Sequence, residues 1–117
     1  MEAAKIFVEQ NYGNLINIAS TAALKGYARG TTYSSSKFAL RGMNECWRAE
    51  LRPHNVRVML IDPSYVPTAF GTADGEEKPV EPNKLTPAEI AHSIVAVLEM
   101  DDRGFIPELA VWATNPF

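Results

Sequence analysis

The chain has 117 residues, 46% hydrophobic and 21% charged, with a formal net charge of −3, the composition of one ordinary globular domain. That balance offers no basic field, and no apolar run reaches the roughly 20 residues of a membrane span, so neither nucleic acid nor membrane is expected as a partner. The one cysteine, Cys46, cannot close an internal disulfide, and Met1 to Gln10 lacks a signal-peptide pattern, so a cytoplasmic location is expected.

Ala3 to Glu9 reads as the end of a helix, and Asn11-Tyr12-Gly13-Asn14 breaks it as a turn. Leu15 to Ala19 is an apolar run of strand length without clean alternation, the pattern of a strand buried on both faces. Ser20 to Gly30 is small and polar and reads as a loop. From Thr31 to Leu51 the pattern turns helical, with Phe38, Leu40, Met43, Trp47 and Leu51 at steps of two to four. Gly42 weakens that helix and marks close packing. Arg52-Pro53-His54-Asn55 ends it, because proline cannot continue the hydrogen-bond ladder.

Val56 to Ile61 is a second strand, closed by Asp62-Pro63. The connection from Pro63 to Pro87 holds five of the eight prolines and the acidic residues Asp74, Glu76, Glu77 and Glu81. Connections of this length inside a compact domain are often lids, and residues 64–85 are expected to form one. Thr86-Pro87-Ala88-Glu89 opens a helix: a cap, a proline at the first helical position and a capping box. Its apolar face is Ile90, Ile94, Val97 and Leu98, and Asp101 to Gly104 ends it. Phe105 to Ala113 is a last strand, and Pro107 marks it as an edge. Strands alternating with helices imply an α/β chain with three parallel strands and right-handed crossovers.

Tyr33-Ser34-Ser35-Ser36-Lys37 is the sharpest chemical feature. Residues four apart share one helix face. An ammonium near a phenol favours phenolate, so a tyrosine so placed ionises below its usual value of about 10 and can exchange protons near neutrality. Alone, such a pair is common on helix surfaces. Its company matters more. Ser20 follows one strand, and Asp62-Pro63-Ser64-Tyr65-Val66-Pro67-Thr68 follows the next. Ligands of open parallel sheets bind beyond the carboxyl ends of strands, where these segments converge. The remaining reactive or aromatic residues have plainer readings. His54 and His92 read as solvated or cap residues, Cys46 as packing, Met43 and Trp47 as core or interface, and Trp112 as packing at a subunit contact.

Gly13-Asn14-Leu15-Ile16-Asn17-Ile18-Ala19-Ser20, then Tyr33-x-x-x-Lys37, then Pro63 to Thr68 resemble the short-chain dehydrogenase/reductase family in order and spacing, over nearly the whole chain. The tail, Phe105-Ile106-Pro107-Glu108 with Val111 to Pro116, resembles the 3-ketoacyl carrier-protein reductases of that family. The resemblance implies the C-terminal half of a Rossmann-type doubly wound parallel sheet, residues 1–117 forming the catalytic half of a single domain. It implies NADP- or NAD-dependent interconversion of a ketone and a secondary alcohol, with a small carbonyl or alcohol substrate.

The resemblance also implies roles. Tyr33 would be the general acid or base. Lys37 would ease the ionisation of Tyr33 and bind the nicotinamide ribose. Ser20 would hold the substrate oxygen. Thr68 would bind the carboxamide, the backbone at Pro63 and Val66 would line its pocket, and Ala69 to Leu85 would close over the substrate. The 31–51 helix would build a homo-oligomer. Two departures stand out. Ser64 replaces the glycine that usually follows the proline. No glycine-rich turn at the family's spacing occurs, since Gly26, Gly30 and Gly42 do not match it, and the family's asparagine would lie before Met1. The alternative expectation is a truncated, non-catalytic fragment that acts by pairing with a partner chain, offered through an unpaired edge at the Leu15–Ala19 strand.

Overall fold

The computed structural model describes residues 1–68, 75–76, 79 and 81–117. Helix α1, Glu2–Gln10, leads through Asn11 into strand β1, Gly13–Ile18. A single 3-10 turn, Thr21–Ala23, precedes the long helix α2, Thr31–Leu51. A second such turn, Arg52–His54, leads to strand β2, Val56–Pro63. Helix α3, Pro87–Glu99, and the short strand β3, Glu108–Val111, complete the order.

The three strands form one parallel sheet in the order β1-β2-β3, as the alternation of elements implies. Gly13 to Ile18 lie opposite Val56 to Ile61, and Leu60 to Pro63 lie opposite Glu108 to Val111. β2 is therefore central and has no solvent face. Val56, Val58 and Leu60 point to one side, where Leu40, Trp47 and Leu51 of α2 and Phe7 of α1 cover them. Met59 and Ile61 point to the other side, against Ile90, Ile94 and Val97 of α3. This double cover explains why the run Val56 to Ile61 is apolar without alternation.

Two asparagines start the parallel pair. Asn11 and Asn55 take left-handed backbone angles, φ 54° and 58°, which asparagine tolerates better than most residues. Asn55 Nδ2 donates to Asn11 Oδ1 at 3.0 Å, tying the two strand entrances together. Gly13 is required by close approach: a Cβ there would lie 2.4 Å from the Phe7 ring. At α3 the sequence expectation holds closely. Pro87 begins the helix, and Glu89 accepts from the Thr86 backbone N–H at 2.9 Å and from the Thr86 hydroxyl.

Other boundaries move. β1 begins two residues earlier than expected and ends before Ala19. β3 has four residues, not nine, because Pro107 lies just before it and enters the sheet only through its carbonyl, which accepts from Leu60 N at 3.0 Å. As Pro107 implied, β3 is an edge strand, and β1 is the other edge among the described residues. A Cβ on Gly42 would meet open space, so that glycine does not mark close packing. Cys46 is exposed rather than packed. α2 buries only Ser34, Asn44 and Leu51, while Phe38 and Met43 face outward. Nine residues of the expected lid, 69–74, 77–78 and 80, lie outside the described ones. Among the described residues, no helix is long and apolar enough to cross a membrane.

Polar groups fix how the layers meet. Arg48 of α2 donates to the carbonyls of Val58 at 3.2 Å and Pro107 at 3.0 Å, bridging β2 and β3 from the helix side. Asn17 of β1 donates to Asn44 of α2 at 2.8 Å. On the opposite face, the Arg57 side chain is 7% exposed. It donates to Asn14 Oδ1 at 2.6 Å and to the carbonyls of Leu98 and Met100 at 3.0 Å each. Those carbonyls end α3, where orphan acceptors and the helix dipole both favour a cation. Arg57→Ala is expected to cost about 3 kcal/mol, because it strands these buried acceptors. Arg57→Lys should recover only part, since an ammonium lacks the planar fork. Urea unfolding of the three proteins checks this, and an alanine variant within about 0.5 kcal/mol of wild type would refute it.

Candidate active site

The carboxyl ends of β1 and β2 meet the N-terminus of α2 at one edge of the sheet. Past the end of β1, Ala19 N donates to Ile61 O at 2.8 Å, so the chain stays against β2 for one more residue. Ser20 comes next and caps the 3-10 turn, its Oγ accepting from Ala22 N at 3.1 Å. The buried Ser34 of α2 holds that turn in place, its Oγ donating to Ala22 O at 2.9 Å. The segment read as a loop thus contains a pinned turn. Tyr33 and Lys37 lie one helical turn apart, with the Lys37 ammonium 5.6 Å from the Tyr33 ring centroid. Lys37 Nζ also donates to Ile18 O at 3.4 Å, bringing α2 to the end of β1.

These elements enclose a cavity of about 1330 Å³. Of the six residues singled out in the sequence, Ser20, Tyr33, Pro63, Val66 and Thr68 line it, and Lys37 does not. Three further walls were not read from sequence. Tyr27 and Leu24 come from the segment before α2, Ile90 and Ile94 from α3, and Trp112 from just past β3. Trp112 is 67% exposed and stands at this cavity, where a subunit contact was expected. Its position one residue beyond the carboxyl end of a parallel strand was the available signal.

The chain matches the short chain dehydrogenase family over residues 1–79. The NADP-dependent 3-hydroxy acid dehydrogenase of Schizosaccharomyces pombe is 31% identical across 94% of this chain and 45% of its own length. The chain belongs to the short-chain dehydrogenase family. Among solved structures, the closed form of a serine dehydrogenase complexed with NADP+ superposes with a TM-score of 0.77 at 28% identity, covering 90% of this chain and 46% of that one. A β-ketoacyl-ACP reductase from Bacteroides thetaiotaomicron superposes with a TM-score of 0.71 at 25% identity, covering 94% and 44%. The chain thus spans a little under half the length of these family members. Its three parallel strands and flanking helices are a Rossmann-like part of the short-chain dehydrogenase fold.

One member of this site had no sequence reading beyond a strand end. Asp62 of β2 is fully buried, and neither carboxyl oxygen has a partner in hydrogen-bonding geometry among the described residues. In the sheet register Leu60 lies opposite Glu108 and Asp62 opposite Ala110, which sets the Glu108 carboxyl on the same face as Asp62. Arg41 of α2 does not hydrogen-bond to Asp62. Its fork grips Glu108, with Nε and Nη2 at 3.0 and 2.9 Å, and its Nη1 lies 3.3 Å from Glu45. Burial first, then Glu108, pushes the Asp62 carboxyl up to about 7, while Arg41 holds Glu108 below its ordinary range. The folded state therefore favours protonated Asp62. That contribution to stability is fully present below the unfolded value of about 3.9 and is lost as pH rises toward 7. Relative to Asp62→Asn, wild type should lose on the order of 2–4 kcal/mol across that window. Denaturant midpoints of both proteins from pH 4 to 8 test this, and parallel curves would refute it.

Proposed function

We propose that this chain carries the reacting end of an oxidoreductase that uses NADP or NAD to interconvert a ketone and a secondary alcohol of a small-molecule substrate. The observation that carries this reading is the convergence of Ser20, Tyr33 and Thr68 on one cavity, with Lys37 one turn behind Tyr33. Relatives agree in kind: one is named for NADP and a 3-hydroxy acid, and one structure holds NADP+.

The donor set fits a nicotinamide. Thr68 offers a hydroxyl to a carboxamide, and Pro63 to Val66 present a stretch of wall at the same end of β2. When bound, the cofactor donates or accepts the hydride. Ser20 already accepts from Ala22 N, which orients its hydroxyl and leaves the proton to donate to a substrate oxygen. Tyr33 delivers a proton to that oxygen in reduction and removes it in oxidation. The Lys37 ammonium stands 5.6 Å from the Tyr33 ring centroid, one helical turn behind it, in position to bind the nicotinamide ribose. Leu24, Tyr27, Ile90, Ile94 and Trp112 give the cavity an apolar wall that excludes water and suits an apolar substrate body. Residues 1–117 act in this reading as one catalytic half. A homo-oligomer would form on the outer face of α2, where Phe38 and Met43 are each 46% exposed, and the protein would work in the cytoplasm.

The test is NADPH- and NADH-dependent reduction of a ketone panel. It is run with the chain alone and with a co-expressed glycine-rich half of the fold. Tyr33→Phe is expected to lower kcat by roughly 10²–10⁴-fold, with cofactor Kd little changed. A phenylalanine variant as active as wild type would remove Tyr33 from the reaction.

A further inference from the structure

The cavity is walled by side chains that a folded chain ordinarily covers. Leu24, Tyr27, Tyr65 and Trp112 all line it, and each is 45% exposed or more. Ile90 and Ile94 of α3 continue the apolar surface. Large apolar side chains gathered on one concave surface mark a place that an apolar group covers. The segment before α2 is also held at both ends. At one end, Ala23 N donates to Ser20 O at 2.8 Å and Leu24 N to Thr21 O at 3.0 Å, and Ser34 Oγ pins the turn through the Ala22 carbonyl. At the other, Gly30 N donates to Tyr27 O at 3.1 Å. A Cβ on Gly30 would lie 2.4 Å from the Tyr27 ring, so that ring is seated on the start of α2.

Between these two anchors stands Lys25. Of the described residues that line the cavity it is the only charged one, so no carboxylate among them competes for it. Its ammonium has no ion-pair or hydrogen-bond partner among the described residues. The cations of α2 are committed elsewhere: Lys37 to the Ile18 carbonyl, Arg41 to Glu108 and Glu45, Arg48 to the carbonyls of Val58 and Pro107. Lys25 is thus the cation that faces a ligand. A single ammonium with no guanidinium fork beside it in the lining balances one negative charge, which suits a carboxylate better than a phosphate dianion.

We propose that Lys25 determines specificity at this cavity: the substrate is an oxo or hydroxy acid whose carboxylate meets the Lys25 ammonium while its hydrocarbon part lies on Ile90, Ile94 and Trp112. The proposal rests on the reading of the cavity as the substrate site, with Ser20 and Tyr33 facing the reacting oxygen. Ser20 and Lys25 belong to one short pinned segment, so the reacting oxygen and the carboxylate are both addressed from it. The hydrocarbon is met by α3 and by the residue past β3.

The experiment titrates the chain with octanoate, octanamide and octyl phosphate at pH 7, without cofactor, following tryptophan fluorescence. Octanoate and octanamide have nearly the same shape, and only the first is charged at this pH. The chain has two tryptophans, so Trp112→Phe leaves Trp47 alone and should remove the signal, which places the ligand at the cavity. Wild type should bind octanoate about three- to fivefold more tightly than octanamide, the scale of an ion pair at an exposed site, and octyl phosphate no more tightly than octanoate. Lys25→Met should weaken octanoate to the level of octanamide and leave octanamide unchanged. Added salt should shrink the wild-type preference. Lys25 is exposed and has no described partner to lose, so this variant should fold as wild type does. Equal binding of octanoate and octanamide, a preference that survives Lys25→Met, tighter binding of octyl phosphate, a signal retained by Trp112→Phe, or no saturable binding of octanoate would each overturn the proposal. The readout is independent of turnover. Failure here leaves the proposed reaction standing, and an inactive Tyr33 assay leaves this preference to be judged by itself.

Discussion

β2 has no solvent face, and much of the molecule is arranged around that condition. A strand covered by α2 on one side and α3 on the other must be apolar at nearly every position, and Val56, Val58, Met59, Leu60 and Ile61 are each no more than 1% exposed. A polar side chain on such a strand has to bring its partners with it or change its charge. β2 contains one example of each. Arg57 collects an asparagine and two carbonyls at the end of α3, and so orients that helix against the sheet. Among the described residues Asp62 has no such set, and it lies at the end of the strand where the cavity opens.

The polar side chains of α2 show the same economy. Ser34, Asn44 and Arg48 face the sheet, and each meets a backbone or amide group that would otherwise be stranded. Their work is to fix the height and rotation of α2 relative to β1 and β2. That fixing presents Tyr33 to the cavity and brings Lys37 to the Ile18 carbonyl. A purely apolar interface would tolerate sliding by a fraction of a turn. Directional bonds at three levels of the helix do not. The precision of the candidate site is thus inherited from hydrogen bonds that lie outside it.

Much of this was legible in the residues, and the limits have physical causes. The uniform apolar run at Val56 to Ile61 announced a doubly covered strand, and Thr86 to Glu89 announced its helix start, because both signals are local. Ser20, Tyr33, Pro63, Val66 and Thr68 could be gathered on one cavity because strand ends in a parallel sheet share an edge. β3 was read too long, since Phe105 and Ile106 are apolar for packing against Met59 and Ile61 and not for pairing. The outward turn of Phe38 and Met43 was not legible, because helical spacing shows which residues share a face but not what covers it. Trp112 and Asp62 were missed for a common reason. Each owes its setting to residues distant in the chain, Trp112 to α3 and the segment before α2, Asp62 to Glu108 and the Arg41 that grips it.

The contrast between Arg57 and Asp62 bears on how a site and a fold can share one strand. An arginine carries five donors on a long arm and can satisfy itself against carbonyls several ångströms away, so its burial rigidifies. An aspartate carries only acceptors on a short stem, and where no donor reaches it in good geometry the least costly partner is a proton. A proton exchanges with solvent conditions, whereas a carbonyl does not. The end of β2 far from the cavity is therefore held by a group whose charge is constant, and the cavity end carries one whose charge varies near neutral pH. Apolar residues at position 62 would remove the burial cost of the carboxyl. The retained carboxyl is thus a stability cost at the cavity end of the strand, and one that grows as the pH rises toward 7.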